Sequence, residues 1–386
     1  MNIGIDISSL FAKERTGVGE YTFQFLNAIF IQDKKNQYFL FSNQWKEAQE
    51  HFWEQKNVHW VQTRYPNKIF HTLLFLLRRP FIDELIVQES EKKGMFPGHL
   101  DVFFSPNISF FRVSKKCFHI QMIHDLSFEL FPEFFSKKMR WWHRFLQPKK
   151  KCENAQAIFV PSENTKRDVR DIYRINEEKI HVFYPGVSQN FISNTFDDTV
   201  EKQNQIRQKY GLPEKFFLFL GSLEPRKNIL GLISAYKKSH TSKDHGLVIA
   251  GPKGWKYKNI IQTIANSTGV QYIGYVDELD KPYVYGLAHV FVYPSFYEGF
   301  GIPVLEALYR SVPVITSNGS SLPEITNGTS VLIDPHQPGD ITKALDQLTG
   351  DEKMVYVLKN NAEEQARIFD WKKSAEQFLH FLHDHV

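Results

Sequence analysis

The stretch VFVYPSFYEGFGIPVLE, residues 290–306, combines a strand, a turn and the start of a helix. Its first residues, Val290–Tyr293, form a short apolar run, which is typical of a parallel strand covered by helices on both faces. Gly299 and Gly301 lie in the predicted loop after the run, and Pro303 lies in the first turn of the predicted helix, where proline is tolerated. The stretch therefore predicts one strand–loop–helix unit of a doubly wound α/β sheet.

The same alternation of apolar runs and amphipathic segments fills the chain in two successive arrays. The first array predicts strands at Ile3–Ile7, Tyr38–Phe41, Val58–Val61, Val102–Phe104, Phe118–Ile123, Ile158–Val160 and His181–Phe183. The second predicts strands at Phe216–Leu220, Leu247–Ala250, Val270–Ile273, Val290–Tyr293, Val312–Ile315 and Val331–Ile333. Predicted helices include Val18–Phe30, Phe70–Glu91, Ser136–Asn154, Glu163–Tyr173, Asp351–Phe369 and Trp371–His385. Residues 188–199 are polar and lack periodicity, so they are the predicted linker between two doubly wound domains.

Composition excludes several functional classes. The chain has 386 residues, of which 42% are hydrophobic and 23% charged, a balance typical of a globular protein. Its 47 basic and 43 acidic residues give a net charge of +4, which argues against a nucleic-acid binder. Cys117 and Cys152 cannot form a disulfide framework and lack the spacing of a zinc site. The N-terminus is typical of a strand rather than a signal peptide, and Leu73–Leu77 is too short to cross a bilayer, so we expect a cytoplasmic protein.

Ligands of doubly wound sheets bind at the carboxyl ends of strands, and four candidate sites follow predicted strands. The first is the turn at Gly17 and Gly19, where a backbone can approach a ligand and the helix N-terminus favours anions. Thr22 stands where a dinucleotide-binding fingerprint has its third glycine, which disfavours a dehydrogenase and leaves a structural turn as the alternative. The second is His124, which can hydrogen-bond a sugar hydroxyl or a phosphate while Asp125 orients its ring. A buried, satisfied histidine is the alternative.

The third candidate is Gly221–Asn228, in which Arg226 and Lys227 are predicted to open a helix. Cations at a helix N-terminus oppose the macrodipole, so this placement costs stability unless an anion lies nearby. A diphosphate would satisfy both cations and the free backbone N–H groups. A solvated pair of charges is the alternative.

The fourth and strongest candidate contains Glu298 and Glu306, which are separated by seven residues. Glu298 lies in the loop and Glu306 on the second helical turn, so the two can reach different parts of one elongated ligand. Glu306 is suited to ribose hydroxyls and Glu298 to a transferred sugar. The backbone N–H groups of Phe300, Gly301 and Ile302 can cap a phosphate. Two exposed helix carboxylates are the alternative.

These residues carry a family resemblance over nearly the whole chain. Its most specific part is Tyr293-Pro294-Ser295-x-Tyr297-Glu298-Gly299-Phe300-Gly301-x-Pro303-x-Leu305-Glu306-Ala307. It is supported by Leu223–Asn228, Ala250–Trp255, Thr316–Glu324, Thr16–Gly19 and His124–Ser127. The chain resembles the retaining GT-B glycosyltransferases of family 4, particularly bacterial mannosyltransferase-like members. The resemblance implies two Rossmann-like domains facing across a cleft.

The resemblance also implies roles for the domains and for the matched residues. Residues 1–190 would form the acceptor-side domain, residues 191–369 would bind the nucleotide sugar, and residues 370–386 would be a helix packing back on the first domain. The catalytic residues would be His124, beside the reacting centre, and Glu298, at the donor sugar. The donor-binding residues would be Gly17, Gly19, Arg226, Lys227, Tyr275, Val276, Phe300, Gly301, Ile302 and Glu306.

The implied reaction is transfer of a hexose without a metal or another cofactor. Mannose from GDP-mannose is the favoured donor group, and the acceptor would be a saccharide or lipid-linked hydroxyl in envelope polysaccharide synthesis. A glucosyltransferase using UDP- or ADP-glucose on a soluble acceptor, or a non-catalytic nucleotide-sugar-binding assembly protein, remains open. Residues 70–79 and 136–151 are basic and aromatic, which makes them candidates for contact with anionic lipid at the inner face of the membrane. Packing of their apolar faces into the N-terminal core is the alternative.

Overall fold

The structure is a computed structural model that describes residues 1–11, 17–44, 52–66, 80–95, 97–192 and 199–386. The chain divides into two compact units. The first unit contains Met1–Leu126, Trp141–Pro185 and Trp371–Val386, and the second contains Ser127–Arg140 and Gly186–Asp370. The segment Ser127–Arg140 thus belongs to the second unit although it lies in the first half of the sequence.

The described part of the first unit contains a seven-stranded sheet whose neighbouring strands run parallel. Its strands are β1 (Asn2–Asp6), β2 (Gln37–Asn43), β3 (Val58–Thr63), β4 (Val102–Ser105), β5 (Phe118–Met122), β6 (Ala157–Val160) and β7 (Ile180–Val182). They lie in the order β3-β2-β1-β4-β5-β6-β7. The order reverses between β1 and β4, and such a reversal is where open α/β sheets bind ligands.

The described part of the second unit contains a six-stranded sheet, also with parallel neighbours. Its strands are β8 (Phe216–Leu220), β9 (Gly246–Ala250), β10 (Val270–Gly274), β11 (Val290–Tyr293), β12 (Val314–Ser317) and β13 (Val331–Ile333). They lie in the order β10-β9-β8-β11-β12-β13, so here the reversal falls between β8 and β11. The loops after β8 and β11 carry the third and fourth candidate sites.

Helices connect the strands of both sheets. In the described residues the α-helices are Gly17–Gln32, Ile82–Lys92, Ser127–Leu130, Lys137–Leu146, Pro148–Asn154, Glu163–Tyr173, Gln189–Ile192, Val200–Tyr210, Ile229–Lys238, Lys258–Ala265, Lys281–Gly286, Ile302–Tyr309, Leu322–Thr326, Pro338–Gly350, Glu352–Ala366 and Trp371–His385. Short 3-10 turns lie at Ser8–Phe11, Pro132–Phe134, Glu177–Lys179, Pro225–Lys227 and His240–Lys243. None of the described helices is both long and apolar enough to cross a membrane.

The predicted strands are all present, with ends that differ by at most two residues. Central strands of the sheets, such as β8 and β11, are buried along their whole length, because helices cover both faces of each sheet. Local apolar runs were therefore a sufficient signal for the sheets.

Two predicted elements are wrong in detail. The helix predicted at Ser136–Asn154 is two helices, because Gln147 has a left-handed φ of 53° and the following Pro148 has no N–H. The predicted linker contains the short helix Gln189–Ile192, whose Phe191 is buried against the ring of Tyr285. Residues 193–198 of that linker lie outside the described residues. Residues 70–79 of the helix predicted at Phe70–Glu91 also lie outside the described residues, and after them the structure has a helix at Ile82–Lys92.

The last helix, Trp371–His385, belongs to the core of the first unit. Its Trp371 packs against Tyr21 with ring centroids 4.9 Å apart, and its Phe378 packs against Phe25 at 5.5 Å. Both helical residues are buried in the cluster that also contains β1, β4 and β6 side chains. The chain terminus thus completes a core that the first half of the sequence begins.

Candidate active site

The loops after β8 and β11 meet at the reversal of strand order in the second unit. The N–H of Phe296, after β11, donates to the carbonyl of Arg226, after β8, at 2.9 Å. Pro225–Lys227 forms a 3-10 turn, Asn228 has a left-handed φ of 56°, and the α-helix begins at Ile229. The prediction that Arg226 and Lys227 open this helix is therefore wrong. They lie in the turn before it, because Asn228 breaks the helical path.

Arg226, Lys227, Glu224 and Glu298 form a buried group of charges, called here the ionic cluster. Arg226 Nη1 donates to Glu298 Oε2 at 3.0 Å, and Arg226 Nη2 lies 2.9 Å from Glu224 Oε1. Lys227 Nζ donates to Glu298 Oε1 at 2.6 Å and to the Tyr293 hydroxyl at 2.7 Å. Glu298 is only 6% exposed. Arg226 and Lys227 are thus paired with carboxylates of the same unit. The alternative of a solvated pair of charges is therefore wrong.

Electrostatics keeps Glu298 ionised inside this cluster. Burial by itself would raise the pKa of Glu298, but the charges of Arg226 and Lys227 outweigh it and lower that pKa to about 2. Burial lowers the pKa of Lys227, and the like charge of Arg226 adds to this effect against the attraction of Glu298 and Glu224. Glu298 is therefore ionised, and both of its carboxylate oxygens accept hydrogen bonds from the two basic side chains.

Glu306 lies in a different environment on the helix Ile302–Tyr309. It is 6% exposed, and its Oε2 accepts a hydrogen bond from the Tyr285 hydroxyl at 2.7 Å. Burial and the neighbouring Glu306 raise the pKa of Tyr285. The phenol therefore stays protonated and acts as the hydrogen-bond donor to Glu306. Both glutamates are therefore buried, unlike exposed helix carboxylates. Tyr285 was not predicted from the sequence, because it lies on another helix and carries no local signal.

The loop between β11 and this helix is fixed by serines that follow β12. The N–H of Glu298 donates to Ser320 Oγ at 3.1 Å, and Ser321 Oγ donates to the carbonyl of Glu298 at 3.0 Å. The Phe300 carbonyl lies within hydrogen-bond distance of the same hydroxyl, so the single O–H of Ser321 is shared between the two carbonyls. Both serines belong to Thr316–Glu324, one of the stretches that carry the family resemblance. The sequence did not predict a role for either serine. Their contacts show that they hold the backbone on both sides of Gly299.

His124 lies in the first unit, after β5. Its Nε2 is 2.8 Å from the carbonyl of Pro106, and its ring meets the edge of Tyr21 at 5.0 Å between centroids. Burial lowers the pKa of His124, against opposing effects of the Pro106 carbonyl and Asp125. Because a carbonyl only accepts, Nε2 carries the proton, which leaves Nδ1 of the neutral ring as an acceptor. The Pro106 carbonyl is thus one group that orients the ring, and orientation of the ring by Asp125 stays a prediction.

The remaining predicted site residues lie in both units. In the first unit, Gly17 is the exposed first residue of its helix, where an added Cβ would have no atom of the described residues within 4 Å, and Gly19 is buried. In the second unit, Tyr275 follows β10 and is 43% exposed, whereas Val276 is buried. The structure thus brings Arg226, Lys227 and Glu298 into direct contact. Phe300, Gly301 and Ile302 lie between Glu298 and Glu306, and Phe300 is buried against Phe369.

In the part of the chain that the structure describes, no group of three or more His, Cys, Asp and Glu side chains is arranged to hold a metal ion. Cys117 and Cys152 are both buried and free.

Comparison with known proteins assigns the fold to a family. The family described as "Glycosyltransferase Family 4" matches residues 17–191, and "Glycosyl transferases group 1" matches residues 202–365. The two matches together cover most of the chain, which belongs to the GT-B glycosyltransferases of group 1 and family 4. The predicted GT-B fold and glycosyltransferase activity are thereby confirmed, and a non-catalytic binding protein is not supported.

Individual relatives and solved structures show which glycosyltransferases the chain is similar to. The chain is 28% identical to O-antigen chain mannosyltransferase B of Escherichia coli over 80% of this chain and 81% of the relative. It is 29% identical to the serotype-specific mannosyltransferase WbdA of Escherichia coli over 73% of this chain, but spans only 35% of WbdA. Among solved structures, sucrose-phosphate synthase from Thermosynechococcus elongatus aligns with a TM-score of 0.74 at 18% identity, covering 100% of this chain and 98% of that one. Anabaena Alr3699/HepE in complex with UDP-glucose aligns with a TM-score of 0.73 at 16% identity, covering 100% of both chains.

Proposed function

We propose that this protein is a retaining hexosyltransferase that moves mannose from a nucleoside diphosphate sugar to a hydroxyl of a saccharide or lipid-linked acceptor. GDP-mannose is the favoured donor, and envelope polysaccharide synthesis is the proposed process. The observation that carries the proposal is the ionic cluster, because it places two fixed cations at the ligand-binding edge of the second sheet. The likeness to O-antigen chain mannosyltransferase B supports mannose.

The proposed chemistry follows from where charge develops. Cleavage of the anomeric bond leaves negative charge on the departing diphosphate, and Arg226 and Lys227 are donors already fixed in place to stabilise it. Loss of one such donor typically lowers kcat about 10²- to 10³-fold. Positive charge develops on the sugar ring, as in other glycosyl transfers, and the ionised Glu298 is suited to stabilise it. The leaving phosphate itself can accept the proton of the acceptor hydroxyl.

His124 fits a neutral role in this scheme. With its proton on Nε2 and bonded to Pro106, the ring offers Nδ1 as a hydrogen-bond acceptor. This state suits contact with a sugar hydroxyl better than electrostatic stabilisation of a phosphate. We therefore assign His124 to the sugar at the reacting centre.

Transfer is proposed to proceed without a resident metal, since Arg226 and Lys227 supply the positive charge at the diphosphate. Activity is expected to be unchanged in EDTA, measured as sugar transfer with and without the chelator. Loss of transfer in EDTA and its return with magnesium or manganese would show that the two cations are not sufficient.

The donor is tested by thermal unfolding with GDP-mannose, UDP-glucose and ADP-glucose, followed by product analysis. A donor at about 100 times its Kd raises the free energy of unfolding by about 2.7 kcal/mol, so the preferred sugar nucleotide shifts Tm most. We expect this to be GDP-mannose, with retained anomeric configuration in the product. Greater protection and transfer with UDP-glucose would favour a glucosyltransferase, the alternative to which the fold shared with Alr3699/HepE points.

Lys227→Met is the matched test of the cluster, with Lys238→Met as its control. Lys238 is exposed at the end of the helix Ile229–Lys238 and lies outside the cluster. We expect Lys227→Met to lower kcat about 10²-fold or more, and Lys238→Met to leave it unchanged. Equal activity of both variants would contradict the assignment of the cluster to the diphosphate.

We propose that the reaction takes place at the inner face of the membrane, which the protein contacts peripherally. The helix Lys137–Leu146 has four basic residues and no acidic one, and its Trp141, Trp142 and Phe145 are 61%, 50% and 46% exposed. Exposed aromatic rings beside cations are suited to an anionic lipid surface. Of the two segments that suggested such contact, residues 136–151 include this helix, and residues 70–79 lie outside the described residues.

Sedimentation with phosphatidylglycerol-containing vesicles tests this contact. Binding is expected to fall in Trp141→Ala/Phe145→Ala and in phosphatidylcholine vesicles. The control pair is Tyr356→Ala/Val357→Ala, because these residues are similarly exposed on another helix, at 67% and 49%. A wild-type protein that stays in the supernatant would refute the membrane proposal while leaving the transferase proposal intact.

A further inference from the structure

Four aromatic rings hold the loop that carries Glu298. Phe131 and Phe134 come from the segment Ser127–Arg140, and their rings stack with centroids 5.7 Å apart and 14° between planes. Phe134 stacks on Phe296 at 5.2 Å and 22°, and Phe131 packs on Tyr297 at 5.7 Å. These four rings, Phe131, Phe134, Phe296 and Tyr297, are called here the aromatic clasp. Its last two members directly precede Glu298.

The segment that supplies the clasp is itself anchored to the second unit. Trp255 Nε1 donates to the carbonyl of Phe134 at 2.9 Å, and Lys256 Nζ donates to the carbonyl of Glu133 at 2.7 Å. Phe135 is buried and stacks on Trp255 at 5.3 Å and 20°. Phe131 and Phe134 are therefore presented from a fixed backbone.

Arg226 holds the same loop from the β8 side. Its carbonyl accepts from the N–H of Phe296 at 2.9 Å, and its Nη1 donates to the carbonyl of Tyr297 at 2.6 Å. The same Nη1 donates to Glu298 Oε2 at 3.0 Å. A shift of Phe296 or Tyr297 would therefore disturb both the guanidinium and the carboxylate of the ionic cluster.

We propose that Phe131 and Phe134 are positioning residues of the transfer reaction, which act by holding the loop Phe296–Glu298 against Arg226. The inference rests on the proposed transferase function and adds to it two residues from outside the donor-binding half of the sequence. The stacked rings restrict sideways movement of the loop. The hydrogen bonds of Arg226 fix the distance between the loop and β8. A displacement of about 1 Å at a reacting group can cost about 10²-fold in rate.

The test is Phe131→Leu and Phe134→Leu, which keep an apolar side chain but remove the flat ring. We expect each to lower kcat about tenfold with little change in donor KM or in Tm, and we expect Phe134→Tyr to restore kcat. Phe23→Leu is the control, because Phe23 makes a comparable ring stack on Trp53, at 5.5 Å and 24°, within the first unit. An unchanged kcat in both clasp variants, or an equal loss in Phe23→Leu, would overturn the proposal.

A double-mutant cycle identifies the route of the effect. If the clasp acts through Glu298, Phe134→Leu lowers kcat much less in a Glu298→Gln background than in the wild type. The same factor in both backgrounds would overturn the positioning role. Failure of the underlying function looks different, because the wild type itself would then transfer no sugar, and the proposed function and the clasp's role in it would fall together.

Discussion

Glu298 and Glu306 show at the scale of single residues how one type of side chain acquires two environments. Glu298 contacts two cations, and Glu306 contacts the neutral hydroxyl of Tyr285. A carboxylate held by fixed cations is placed to respond to charge that develops during a reaction, whereas one held by a phenol is suited to a neutral hydroxyl ligand. The two residues are therefore expected to affect different kinetic constants.

In the proposed mechanism Glu298 faces the transferred sugar, and its charge would interact more strongly as the ring becomes positive, so Glu298→Gln is expected mainly to lower kcat. The family resemblance implies a ribose contact for Glu306, and such a contact would be similar in the ground and transition states, so Glu306→Gln is expected mainly to raise the donor KM. Tyr285→Phe should resemble Glu306→Gln in a weaker form, since it removes only the hydroxyl that orients Glu306. Steady-state kinetics with one donor and direct nucleotide binding measure both constants. The reverse assignment of kcat and KM effects would show that the ligand lies the other way along the loop and helix.

The lowered pKa of Glu298 also predicts how stability depends on pH. The ordinary pKa of 4.5 falls to about 2 in the folded protein, so the unfolded state binds a proton first as the pH decreases. This stabilisation, about 3 kcal/mol, is fully present above pH 4.5 and is lost as the pH falls towards 2. The wild type should therefore lose more unfolding free energy over this window than Glu298→Gln does.

Urea unfolding of both proteins at several pH values measures this difference. Glu364→Gln is the control, because Glu364 is an exposed carboxylate. A wild type and a Glu298→Gln variant that lose stability in parallel below pH 4.5 would contradict the ion pairing described for the cluster.

At the scale of elements, the turn between β11 and the helix Ile302–Tyr309 depends on Gly301. Its φ is +117°, and an added Cβ would lie 2.8 Å from Leu322 Cδ2. Only glycine adopts this conformation without strain, and the helix that carries Glu306 starts at the next residue. The helix Ile302–Tyr309 therefore begins at Ile302 because Gly301 has no side chain.

Gly301→Ala is expected to reduce the unfolding free energy by about 1–3 kcal/mol and to weaken donor binding, because the backbone must shift at the start of this helix. Gly339→Ala is the comparison, since Gly339 is exposed on the helix Pro338–Gly350 and a Cβ there meets no atom of the described residues within 4 Å, so folding and donor binding should stay intact. Urea unfolding and nucleotide binding of both variants measure the contrast. A Gly301→Ala protein as stable as the wild type would show that the turn tolerates a side chain.

At the scale of the whole molecule, the chain repeats one sheet order in two units and then returns to the first. The helix Trp371–His385 is the last in sequence, yet its Phe378 is fully buried among Phe25, Phe104 and Phe159 of the first unit. The stability of the first unit therefore depends on residues that follow the entire second unit.

Phe378→Ala is expected to cost about 3–5 kcal/mol of unfolding free energy, because it leaves a cavity among large rings. Tyr356→Ala, at a residue that is 67% exposed, should cost little. Denaturant unfolding of both variants provides the comparison. A loss below about 1 kcal/mol at Phe378 would show that the last helix is dispensable to this core.

The sequence by itself determined the strands, the α/β class and the positions of the charged motifs at strand ends, because apolar runs and turn residues act over a few neighbours. It also placed Glu298 in a loop and Glu306 on the second turn of a helix. It did not show that Glu298 pairs with Arg226 and Lys227, that Tyr285 donates to Glu306, or that Ser127–Arg140 joins the second unit. Only the tertiary structure decided these three contacts, and the ionic cluster in particular forms because β8 and β11 become neighbours although β9 and β10 separate them in the chain. Contacts between residues so distant in sequence depend on strand order, which no local pattern encodes.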